Sequence, residues 1–333
     1  MPKRALRIAV AGATGALGGE LLSVLDARRF PVGELVPLAT QRSAGEAIEF
    51  RGEVYAVGTD PSRLRGVDLA FLCAPPVGSL EIARRALHEC VPCIDLSGAL
   101  CDSPDVPLLV ADLDPTAEAL LQPVLSSPAS PALGWAIVLR PLDCAAGLRR
   151  VTATSVHSAS SGGRLGIEAL SSETIALFNQ QDPPEPTVFG YPVAFDCVPA
   201  IGEPEPGGAT TFESALARDL QRVLGTHVAI AATALRVPTF SGDGAALALG
   251  FERALSPDEA RLALAKAPGV ELWEAVRPGP ATRATTGRED ILVGRLRADP
   301  TQERGLMLWL AADSVRLAAT NAVKLAEARL ALA

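Results

Sequence analysis

The chain has 333 residues, enough for two domains at about 150 residues each. It is 48% hydrophobic and 20% charged with a net charge of −8, which supports a large core and excludes a disordered chain. There is no block of Lys and Arg and no apolar run near the ~18 residues of a membrane helix, so neither a nucleic-acid partner nor a membrane span is expected.

The N-terminal Lys3, Arg4 and Arg7, followed by Ile8 to Ala13, imitate the start of an export signal. Thr14, Gly15, Gly18, Gly19 and Glu20 break that pattern at once. A strand over Arg7 to Ala11, a glycine turn, and a helix over Glu20 to Arg29 account for it better. Strands follow at Glu34 to Ala39, Asp68 to Ala74 and Val91 to Asp95, with a helix at Ser79 to Glu89. This alternation predicts a Rossmann-type doubly wound parallel sheet.

The pattern changes near Arg149. A β-rich segment covers Val151 to Ser158, and helices are predicted over Arg164 to Asn179 and Thr211 to Leu224. Between those helices, Asp182 to Gly208 is rich in Pro and Gly and reads as a long loop. Arg140-Pro141-Leu142 reads as a turn. Strands are expected at Val228 to Val237, Ala245 to Glu252, Val270 to Ala275, Ile291 to Arg297 and Leu306 to Ala312. Ser256-Pro257-Asp258-Glu259 opens a helix with a capping box, and Ser314 to Leu332 is a terminal helix. The second domain is therefore α+β with a mixed sheet. The expected division is 1–128, completed by 314–333, and 129–313.

The turn Gly12-Ala13-Thr14-Gly15-Ala16-Leu17-Gly18 is a G-x-x-G-x-x-G variant of the dinucleotide fingerprint. Glycines there let backbone N–H groups approach a pyrophosphate, and the helix dipole favours its charge. A plain tight turn packing helix on strand is the alternative. NAD sites usually carry an acid after the second strand. This chain has Thr40-Gln41-Arg42-Ser43. Arg42 and Ser43 suit a 2′-phosphate, so NADP is expected ahead of NAD; an ordinary exposed loop arginine is the alternative reading of Arg42.

The six cysteines are scattered and imply a reducing cytoplasm, not a disulfide framework. Cys90 and Cys93 form a C-x-x-C that reads as two core thiols. Cys101 reads as a small apolar filler, with a displaced nucleophile as the alternative, and Cys144 as structural. His88 and His227 have no ligand-like neighbours, so no metal site is expected.

These segments together resemble the aspartate-semialdehyde dehydrogenase family, and within it the Usg-like homologues. The likeness runs nearly end to end. It is carried by Gly12 to Gly18, Arg42-Ser43-Ala44-Gly45, Ile94-Asp95 through Pro107, Ala194-Phe195 through Gly202, Arg236-Val237-Pro238 through Gly242, Val293-Gly294-Arg295 and Asn321-Ala322-Val323. The resemblance implies a homodimer and cofactor contacts at Gly12, Thr14, Gly15, Ala16, Gly18, Arg42, Ser43 and Asn321. It also implies reductive dephosphorylation of aspartyl phosphate with NADPH, through a cysteine thioacyl intermediate and a histidine acid/base.

The matching positions depart from that chemistry. The nucleophile position falls on Ser130 or Ala129, the adjacent glutamine on His157, and the histidine on Asp243. Arg236 keeps the arginine expected to hold a substrate carboxylate. The phosphate-binding arginine and lysine match Cys101 and Ala215, a Gly-Gly pair near the nicotinamide matches Pro75-Pro76, and a lysine after the Arg-Ser-Ala-Gly loop matches Glu46. An acyl serine ester accepts hydride poorly compared with a thioester. The expectation is an NADP-binding paralogue without the family reaction. Two alternatives stand beside it. One is a working NADP-dependent semialdehyde dehydrogenase with altered residues. The other is a hydrolase built on a Ser130–His157–Asp243 triad.

Overall fold

The computed structural model describes residues 5–40, 43, 45–273 and 279–332. The chain divides into two compact units, Met1–Ala129 with Ala318–Ala333, and Ser130–Leu317.

In the first unit the elements run β1 (Leu6–Ala11), α1 (Ala16–Ala27), β2 (Val32–Leu38), β3 (Ala47–Phe50), β4 (Glu53–Ala56), β5 (Leu69–Leu72), α2 (Pro76–His88), β6 (Cys93–Asp95), α3 (Ala117–Leu120) and β7 (Val124–Ser126). Five strands form a parallel sheet in the order β2-β1-β5-β6-β7. Strands β5, β6 and β7 are buried along their whole length, as expected for a parallel sheet covered on both faces. On one face Ile8 and Val10 pack with Leu21 and Leu25 of α1 and with Ala322, Val323 and Ala326 of the terminal helix. On the other, Ala9 and Ala11 pack with Ala83 and Ala86 of α2. The doubly wound architecture expected from the sequence is present.

The second unit contains α4 (Ser130–Ala146), β8 (Leu148–His157), α5 (Gly163–Phe178), α6 (Thr211–Leu224), β9 (Ala229–Arg236), β10 (Asp243–Phe251), α7 (Pro257–Leu264), β11 (Val270–Leu272), β12 (Ile291–Ala298) and β13 (Gly305–Ala312). The six strands form one sheet in the order β11-β12-β13-β10-β8-β9. It is mixed: β8 and β9 are parallel, as are β11 and β12, while β10 is antiparallel to both its neighbours. The last helix, α8 (Ser314–Leu330), begins in this unit and continues into the first.

The turn expected at Arg140-Pro141-Leu142 is instead the interior of α4. Pro141 lacks an N–H and costs ~3 kcal/mol inside a helix. Burial of Leu133, Trp135, Ile137, Val138, Leu139 and Leu142 at ~1.5–3 kcal/mol per large side chain outweighs it. Among the described residues no helix is long and apolar enough to cross a membrane.

Candidate functional site

In the first unit β1 ends in the glycine turn. Gly12 has φ +83°, and a Cβ there would stand 2.6 Å from the backbone of Cys73 and Ala74. A Cβ on Gly18 would stand 2.2 Å from the Gly12 carbonyl oxygen. Both positions therefore need glycine for backbone to pass against backbone. The N–H groups of Gly12 and Ala13 donate to the Leu38 carbonyl, and that of Gly15 donates to Gly12. Gly15 caps α1 without a side-chain bond, and the first amide bonded back along the helix is Gly19 to Gly15. Ala16, Leu17 and Gly18 thus present the unpaired N–H groups of a helix start, a seat suited to a dinucleotide pyrophosphate. The residues present fit that group.

Thr14 Oγ1 donates to Ser43 Oγ at 3.1 Å, joining the turn to the segment after β2. Arg42 lies outside the described residues. After β5, Pro75 and Pro76 start α2 and bring no N–H. Asn321, expected on the cofactor, is buried and engaged elsewhere. Its amide nitrogen donates to Leu109 O and Ser127 Oγ, and its oxygen accepts from Ala111 N. These bonds serve the fold of the first unit.

Two thiols of this unit, Cys73 and Cys93, are poor nucleophiles. Burial, with Asp95 nearby, pushes the Cys73 thiol up, and the same causes push Cys93 up to about 12. Cys101 is buried, with Sγ 3.4 Å from both Ser126 Oγ and the Ser127 carbonyl oxygen. Cys90 is exposed, so the expected pair of core thiols is a single one, Cys93.

In the second unit a small pocket is lined by Ser130, Trp135, His157, Asp243, Ala312 and Ser314, among others. It holds about 20 Å³, room for one water molecule. His157 closes β8 and Asp243 opens β10. The His157 Nδ1 to Asp243 Oδ2 distance is 3.3 Å, and Nε2 lies 2.9 Å from Ser155 Oγ. Asp243 also accepts from Ser158 N at 2.8 Å, Ser158 Oγ at 2.9 Å and Ser314 Oγ at 2.6 Å. Burial pushes the Asp243 carboxyl up, but donation by His157, Ser158 and Ser314 outweighs it and holds the group below its usual range. Phe212 of α6 packs edge-on against the His157 ring, centroids 5.0 Å apart.

The Ser130 hydroxyl turns elsewhere, donating to the Ser314 carbonyl at 2.7 Å. The expected triad is therefore corrected. His157 and Asp243 meet, but both ring nitrogens are taken by Asp243 and Ser155, and the chain to Ser130 is not formed. The hydrolase reading falls with it.

Arg236, at the end of β9, is 6% exposed. It donates to the Ser158 carbonyl at 3.0 Å and Ser161 Oγ at 2.7 Å, and to Tyr191 Oη at 3.4 Å. Its guanidinium stacks 4.0 Å over Phe189. Arg236 and Asp243 thus meet through Ser158 and do not form an ion pair. Ser155, Ser158, Ser161, Phe189, Tyr191 and Ser314 were not singled out in the sequence. Only Ser155 left a legible signal, because it lies two residues before His157 on the same strand face.

Known proteins share this fold. Residues 7–120 match the family model for the semialdehyde dehydrogenase NAD-binding domain, and residues 139–317 match its dimerisation domain. The aspartate-semialdehyde dehydrogenase of Aquifex aeolicus is 32% identical over 329 residues, covering 96% of this chain and 97% of that protein. The chain belongs to the aspartate-semialdehyde dehydrogenase family. A USG-1 protein homolog of Azotobacter vinelandii is 34% identical over 328 residues, covering 97% of both chains. The crystal structure of aspartate-semialdehyde dehydrogenase II of Vibrio cholerae, complexed with ASA, superimposes with a TM-score of 0.92 at 30% identity, covering 98% of both chains. Family membership gives this chain an NAD(P)-binding domain and a dimerisation domain.

Proposed function

We propose that this member of the aspartate-semialdehyde dehydrogenase family binds NADP and does not reduce aspartyl phosphate, acting as a non-catalytic homodimeric paralogue in a reducing cytoplasm. The observation that carries the reading is Ser130, at the nucleophile position, with its hydroxyl hydrogen committed to the Ser314 carbonyl at 2.7 Å. Nucleophilic catalysis requires a group whose proton is accepted by a base. A backbone carbonyl is not one, and no cysteine lines the pocket.

The surrounding groups support the same reading. Asp243, where the family resemblance implies an acid/base histidine, is held ionised by its donors. Arg236, where a carboxylate would bind, already donates to Ser158, Ser161 and Tyr191. A substrate would have to displace these bonds. NADP, when bound, supplies a hydride carrier. The residues proposed to hold it are Gly12, Thr14, Gly15, Ala16 and Gly18 at the turn, with Arg42 and Ser43 at the 2′-phosphate. The carboxylate found after the second strand in NAD sites is absent from Ala39 to Ser43.

The test is phosphate-dependent reduction of NADP with aspartate semialdehyde, on protein made in a host lacking its own enzyme. No turnover above background is expected. Turnover at the rate of a family enzyme assayed in parallel would overturn the reading.

A further inference from the structure

We propose that Thr14 is a positioning residue that sets the preference of the dinucleotide site for a 2′-phosphate, by fixing the Ser43 hydroxyl as a donor. The inference rests on the dinucleotide-binding reading above and deepens it.

Thr14 sits between Gly12 and Gly15, and its side chain does not cap α1, whose N-cap Gly15 receives no side-chain bond. Its hydroxyl instead donates to Ser43 Oγ at 3.1 Å, 29 residues along the chain. The backbone of Ser43 is held in place on both sides: its N–H donates to Thr40 O at 3.0 Å, and its carbonyl accepts from Glu46 N at 3.2 Å. Among the contacts to described residues, the hydroxyl is the polar group of Ser43 whose hydrogen is not already donated.

A serine hydroxyl has one hydrogen and two lone pairs. Thr14 fills one lone pair and cannot receive the hydrogen while it donates its own. The Ser43 hydrogen is left for another acceptor. A 2′-phosphate is an acceptor, whereas a ribose 2′-hydroxyl is held in NAD sites by a carboxylate, and Ala39 to Ser43 contain none. The relay Thr14 to Ser43 to anion runs in one direction, so each bond strengthens the next. Without the threonine hydroxyl, Ser43 is free to rotate and accept as readily as donate.

The experiment is titration of the full chain with NADP and with NAD, by calorimetry, in wild type, Thr14→Val, Thr14→Ser, Ser43→Ala and the Thr14→Val/Ser43→Ala double variant. Wild type is expected to bind NADP more tightly than NAD. Thr14→Val should weaken NADP on the order of five- to tenfold more than it weakens NAD, the worth of one hydrogen bond to a charged network. Thr14→Ser should keep the wild-type preference, and the double variant should be no weaker than Ser43→Ala alone. Thr14→Val weakening both nucleotides equally or neither, or adding fully to Ser43→Ala, overturns the role of Thr14 while dinucleotide binding stands. Equal wild-type affinities for NADP and NAD overturn it as well. A wild type that binds neither nucleotide overturns the dinucleotide reading itself. Should Thr14→Val not fold, the Ser43→Ala and Thr14→Ser titrations still decide, since Ser43→Ala must lose NADP selectively.

Discussion

Asp243 accepts hydrogen bonds from Ser158 N, Ser158 Oγ, Ser314 Oγ and His157 in a buried setting. Because its folded pKa is depressed, its contribution to stability is whole above the unfolded value of ~3.9. It is lost as pH falls through the folded value. Asp243→Asn should cost about 2–4 kcal/mol near neutral pH, since two sets of donors then face an amide. Urea melts at pH 7 and pH 3 check this: the gap between wild type and variant should narrow at the lower pH. Ser130→Cys restores the family thiol but should yield no dehydrogenase activity, since Asp243 and the occupied Arg236 remain; activity in that variant would sink the reading. Sequence matching brought Arg236, His157 and Asp243 to one neighbourhood. It brought Ser130 to the same pocket but did not set the direction of its hydroxyl, because a residue's place in the sequence does not fix the carbonyl its hydroxyl finds.

Element boundaries were legible where local chemistry fixes them. The Ser256 capping box forms as read, with Glu259 returning to the Ser256 N–H at 2.8 Å. A second box at Thr210 and Glu213 opens α6, and Glu213 also accepts from Ala234 N at 2.9 Å, tying the helix to β9. Thr210→Ala should cost about 1–2 kcal/mol, read as a lower urea midpoint with unchanged slope. Several elements were not legible, among them the β3–β4 hairpin and α4. Strands β3 and β4 meet through Arg51 and Gly52, with φ +54° and +79°. Two left-handed residues make the turn that joins a tight hairpin, but arginine does not advertise that conformation. Its place there is secured by tertiary bonds to Asp26, Leu25 and Phe30. Helix α4 was hidden by Pro141, because proline is a local signal and burial is not.

At the scale of the whole molecule, one face of the six-stranded sheet carries small and apolar side chains outward, including Thr152, Thr154, Ala231, Thr233, Ala246 and Trp309. The dimerisation-domain match over residues 139–317 makes this face the proposed seat of a second copy. Thr154→Arg should therefore convert a dimer to a monomer in sedimentation; an unchanged mass would place the interface elsewhere. The path of the chain has a further consequence, for synthesis. The first unit takes its core from Leu6 to Leu125 and from Ala319, Ala322, Val323, Leu325 and Ala326 of α8. The ribosome delivers those last five residues after the whole of Ser130–Leu317. While the second unit is being made, the sheet of the first has no helix to cover that part of its face, and it must wait with leucines and valines open to water. Vectorial folding in this protein thus runs against the order of translation: the later unit can close first, and the earlier one is sealed only once α8 has followed Ser130–Leu317 out of the exit tunnel. Nascent chains arrested short of Ala318 should present a protease-sensitive first unit, and chains released at full length a resistant one.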